Sequence, residues 1–112
     1  MNSLPPEIAA FDDAQRNTIE LMRSVVSQLR TGMSERDVYD LAVAEAPKFG
    51  FTGWFAKPEV RFEGTRAVFH RASTKRVLRK GTLVEIDLAP STHDAFGDFA
   101  IGMSFEADEE PM

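Results

Sequence analysis

Cysteine is absent from these 112 residues. That excludes disulfides and thiolate metal sites, and leaves carboxylate and imidazole as the ligands for any metal. Long apolar runs are absent too, since Glu, Lys, Asp or Arg interrupts each patch well short of a membrane-spanning length. The opening "MNSLPPEIAAFDD" lacks a basic stretch leading into an apolar one, so no signal peptide is expected and the expected location is cytoplasmic. Positive charge is in deficit, with 13 Lys and Arg against 18 Asp and Glu, which argues against nucleic acid as a partner. The basic stretch "RASTKRVLRK" at 71–80 is the exception, and is read as a solvated loop before a strand. The length suits a single domain over residues 1–112 with one modest core.

Residues 7 to about 30 hold no Pro or Gly, and Ile19, Met22, Val25, Val26 and Leu29 recur at the spacing of an amphipathic helix. Gly32 suits the left-handed position after it. Ser34 followed by Asp37 resembles a capping box and opens a second helix, expected to run to about residue 48 and to bury Val38, Leu41, Ala42 and Ala46. Pro47 should close or kink its last turn. Short strands are expected near 54–56, 59–62 and 67–70, with Trp54, Phe49, Phe51 and Phe55 read as core. Two helices followed mostly by strands predict an α+β domain, the helices packed on a curved antiparallel sheet.

The stretch "LVEIDLAPSTHDAFGDFAIGMSF" at 83–105 predicts a hairpin. A turn centred on residues 91–94 pairs positions whose numbers sum to 185, so Asp87 faces Asp98 and Glu85 faces Ala100. Ile86 and Val84 then join Phe99 and Ile101 on an apolar face. Like charges opposed on a sheet cost roughly 0.2–1 kcal/mol. A raised pKa, a nearby cation from Arg or Lys, or a bridging metal would relieve them. Spacing alone favours the plain alternative, a solvated face where two acids coincide. Glu85 shares that face, either supporting the pair or bridging to an Arg.

The local text carries a resemblance. Gly81, Ile86-Asp87-Leu88, Phe96 and Asp98, with His70 upstream and "G-M-S-E" at 32–35, resemble the M24 metallopeptidases, the pita-bread group of methionine and Xaa-Pro aminopeptidases, prolidase and creatinase. The resemblance runs from about Gln15 to Phe105. It implies that Asp87 and Asp98 are metal ligands and that His70 contacts substrate. The cofactors implied are divalent ions (Mn, Co, Zn or Fe), and the substrate a peptide or small molecule. It also implies that the remaining ligands, a His and two Glu, come from a second half of the fold. "DFAIGMSF" departs from the Thr, Ser or Arg that members often carry after the second Asp, which leaves the subgroup open.

The expectation is therefore the N-terminal half of a pita-bread catalytic domain, a truncated domain that holds metal weakly or not at all and has little activity alone. Self-association, or pairing with the missing C-terminal half, would complete it. His93, in the turn, is read as solvated. Two alternatives stand beside this: a non-catalytic pita-bread fragment that acts in binding or assembly, and an unrelated α+β domain.

Overall fold

A computed structural model describes residues 5–64 and 72–106. Helix α1 (Pro6–Ser27) begins with Pro6 at a position where no backbone N–H is needed. Ala14, Thr18, Leu21, Met22 and Val25 form its buried stripe. Thr18 is tolerated there because its hydroxyl donates to the Ala14 carbonyl at 2.7 Å. Gly32 takes a φ of 91° beyond the helix. The capping box forms as expected: Asp37 N–H donates to Ser34 Oγ at 3.0 Å, and Ser34 N–H donates to the Asp37 carboxylate at 2.9 Å. Helix α2 (Glu35–Glu45) is shorter than the spacing predicts. The chain tightens into a 3-10 turn at Ala46–Phe49, with Pro47 in its first turn and Gly50 at φ 89° behind it.

The two helices are tied by Glu45, which accepts from the Ser24 hydroxyl at 2.8 Å, from the Gln28 side-chain amide and from Lys48. Lys48 first, then Ser24 and Gln28, lower its pKa from 4.5 to about 2. Its folded value lies below its unfolded one, so its contribution is full above the ordinary value and vanishes as pH falls towards about 2. Glu45→Gln is expected to lower the urea midpoint near neutrality, and the gap to the parent chain should close in acid. A gap that does not change between about pH 5 and about pH 2 would contradict this.

Three strands form an antiparallel sheet in the order β1 (Gly53–Phe62), β2 (Leu83–Ser91), β3 (Phe99–Ser104). The two short strands expected at 54–56 and 59–62 are one strand, interrupted by register shifts on either side of Ala56. The strand expected at 67–70 lies outside the described residues. Val60 and Phe62 of β1 and Val84, Ile86 and Leu88 of β2 are buried under the helices with Leu21, Val25, Val38 and Ala42. Phe99, Ile101 and Met103 of β3 pack against this core from its margin. Met22 is buried and Met33 packs on the core, while Trp54 and Phe49 are half-buried against it. Phe55 is not core. It is 68% exposed and stacks on Phe96 at 4.1 Å.

The basic segment is a loop, but it is not simply solvated. Leu78 is buried and exchanges hydrogen bonds with the turn after α1: its N–H donates to the Met33 carbonyl, and Gly32 N–H donates to the Leu78 carbonyl, both at 2.8 Å. Arg76 reaches the buried carboxylate of Glu35 with two nitrogens, both at 3.0 Å.

Candidate functional site

The non-core face of the sheet carries the acids, because side chains alternate along a strand. Glu59 and Arg61 of β1 and Glu85 and Asp87 of β2 share it. The β2–β3 register differs from the expected one by two. Asp87 lies opposite Ala100, Glu85 opposite Gly102, and Ile86 opposite Ile101. A shift of two keeps every side chain on its face, so the partition into core and acidic faces holds while each pairing changes.

The cause is the turn. Thr92 N–H donates to the Ala95 carbonyl at 2.7 Å, so the turn centres on His93 and Asp94, one residue later than expected. The Thr92 hydroxyl accepts from Asp94 N–H at 3.3 Å and Ala95 N–H at 3.1 Å, bracing the turn without a positive-φ residue. His93 is exposed there, as read from the sequence.

Asp98 therefore does not face Asp87. The ladder count puts it beside Ala89, diagonal to Asp87 on the same face. The residue directly opposite Asp87 is Glu59, across the β1–β2 pair. Burial first, then Asp98 and Glu59, push the Asp87 carboxyl above its ordinary range, and Arg61 partly opposes them. Arg61 bridges Glu59 at 3.5 Å and Glu85 at 3.3 Å. Glu85 thus takes the Arg bridge that the sequence offered as one alternative. Glu59 escaped the sequence reading because only the β1–β2 register brings it to Asp87.

This face is a set of oxygen donors, Asp87 and Glu85 half-buried and Glu59 and Asp98 exposed, with more negative charge than one arginine balances. A hard divalent cation suits such donors. Among the described residues, however, no group of three or more His, Asp or Glu side chains is placed to hold a metal ion. The described face supplies part of a site. His70 lies outside the described residues. No helix among them is long and apolar enough to cross a membrane.

Similar folds are known. X-Pro aminopeptidase from Thermotoga maritima superposes with a TM-score of 0.78 at 22% identity, over 96% of this chain and 31% of that one. Prolidase from Pyrococcus furiosus gives 0.78 at 17% identity, over 96% and 32%. Methionine aminopeptidase from Thermotoga maritima gives 0.77 at 19%, over 96% and 46%. The chain thus spans less than half the length of each, and its two helices and three strands are part of the pita-bread fold. No curated protein matches the sequence. The model of Metallopeptidase family M24 matches residues 9–111, nearly the whole chain, and the chain belongs to that family.

Proposed function

We propose that residues 1–112 form one domain that carries part of the catalytic site of a metal-dependent peptidase of the aminopeptidase or Xaa-Pro type. Asp87 and Asp98 are its carboxylate metal ligands and His70 its substrate contact. The observation that carries this is the acidic face itself, where Asp87 is held between Asp98 and Glu59 on the central strand. Repulsion of that kind costs roughly 0.2–1 kcal/mol, and a bound cation removes it. A divalent ion held there would polarise a peptide carbonyl and make bound water nucleophilic. The chain's own residues hold and orient. β1 and β3 flank Asp87 on both sides, and Arg61 keeps Glu59 and Glu85 engaged beside it.

Two carboxylates make a weak site for Mn²⁺, Co²⁺, Zn²⁺ or Fe²⁺. The chain alone is expected to bind such an ion loosely and to turn over no short peptide. A second copy, or a complementary segment bringing a His and further carboxylates, would complete the set.

The test is a Mn²⁺ titration followed by calorimetry. Weak binding is expected, declining as pH falls because the ion must displace protons from Asp87. Asp87→Asn and Asp98→Asn should each abolish it. Metal-free Asp87→Asn should be as stable as the parent or more so, by roughly 0.2–1 kcal/mol, since it removes a repelled charge. Binding that survives both substitutions would sink the ligand assignment. A parent chain that takes up no metal at any pH would favour the non-catalytic alternative, a fragment that acts in binding or assembly.

A further inference from the structure

Asp98 stands just before β3, where the sheet changes neighbours. Gly97 N–H donates to the Pro90 carbonyl at 3.0 Å. Hydrogen-bonded and open pairs alternate along an antiparallel ladder. The N–H and C=O of Asp98 therefore point away from β2, where no further strand lies among the described residues. Left there, both groups would face solvent and the start of β3 would be free to fray.

The side chain of Gln15 fills that place. Its Nε2 donates to the Asp98 carbonyl at 3.0 Å, and its Oε1 accepts from Asp98 N–H at 2.8 Å. A primary amide has one donor group and one acceptor on neighbouring atoms, so it can meet both backbone groups of one residue as a paired strand would. Helix α1 is held close enough for this by Gly97, whose missing side chain lets the chain lie against Ala14 and Thr18. One turn of α1 thus presses on Gly97 and grips Asp98.

We infer that Gln15 is a positioning residue for the Asp98 carboxylate. With both backbone groups held, the Cα–Cβ direction of Asp98 is fixed relative to β2 and so to Asp87. Gln15 holds the backbone of Asp98 and not its carboxylate. The inference rests on the reading of Asp87 and Asp98 as a metal-binding pair, and the experiment separates the two.

Gln15→Leu removes both hydrogen bonds and keeps a good helix former. Gln15→Ala guards against a new contact made by leucine. Arg16→Gln, which alters only the exposed bridge to Asp12, is the control. Amide hydrogen exchange and Mn²⁺-induced broadening of backbone NMR signals are recorded for each. In the parent chain and the control, Asp98 N–H should be protected and Mn²⁺ should broaden signals around Asp87 and Asp98. In both Gln15 variants the Asp98 amide should exchange faster, while core amides such as Ile86 do not. Mn²⁺ affinity should fall about 10-fold or more, as for other outer partners of metal ligands. Unchanged Asp98 exchange in the Gln15 variants, or faster exchange with unchanged Mn²⁺ affinity, overturns the positioning role. If Mn²⁺ broadens nothing in the parent chain, the metal-pair reading fails. The grip on Asp98 then stands if exchange at that amide rises in the variants and falls if it does not.

Discussion

Replacing Glu35 with Leu is expected to lower the unfolding free energy by about 3–5 kcal/mol. Domains of this size have about 5–15 kcal/mol in total, so this is a large share of the whole. Glu35 has no solvent exposure. Its carboxylate accepts Phe62 N–H at 2.7 Å and Ser73 N–H at 2.9 Å, along with the Arg76 guanidinium. Burial by itself would raise its pKa. Arg76 and the two N–H groups outweigh burial, and the carboxyl is held below its ordinary 4.5. Leucine would strand the two backbone donors and leave the guanidinium, which is 43% exposed, to water, and stranded donors cost more than the lost bonds are worth. Glu35→Gln keeps one acceptor oxygen and should cost less. Arg76→Leu should also cost less than Glu35→Leu, because the backbone partners of Glu35 remain. The folded pKa of Glu35 lies below its unfolded value, so its contribution is complete above that value and is lost as pH falls. Urea unfolding followed by circular dichroism checks the order. A Glu35→Leu midpoint within error of the parent would refute it.

Gly97→Ala is the second large effect, at about 1–3 kcal/mol or more. A Cβ at this position would overlap the Thr18 hydroxyl. It would also lie 2.7 Å from Thr18 Cβ and 2.8 Å from the Ala14 carbonyl oxygen. Thr18 is buried and bonded to its own helix, and the Ala14 oxygen is backbone, so neither can swing aside. The added methyl must push α1 off the hairpin. Thr18→Ala in the same chain removes the hydroxyl and leaves the other two contacts, so it should restore only part of the loss. Full restoration would mean that the backbone contact is soft. Because Gly97 adjoins Asp98, the same substitution should expose the Asp98 amide to exchange even where the fold survives.

What the sequence disclosed was local. The spacing of α1, the capping box at Ser34 and Asp37, and the two faces of the hairpin all depend on residues within a few positions of one another, and each is present. The hairpin register was not legible. The turn centre depends on how Thr92 braces it, and the neighbouring Gly97 packs against a helix nearly the whole chain away. The acids show the same limit. Asp87 and Asp98 could be placed on one face from their own text, whereas Glu59 joins them only through strand pairing. Glu35 read as one letter of a helix-start motif, with no local sign of its partner 41 residues on. Gln15 carried no signal at all, since an amide on the polar side of a helix is ordinary until its partner is known.

The grip of Gln15 on Asp98 also sets a clock. The two residues are 83 positions apart. A ribosome adding about 5–20 residues per second needs roughly 4–17 s to cover that distance. For most of that interval α1 has been made, while β2 and β3, the strands it packs on, have not. A chain of this kind emerges with its first helix finished and the buried stripe of that helix still without its sheet, and its yield in a cell should follow the supply of chaperones more closely than its stability in a test tube.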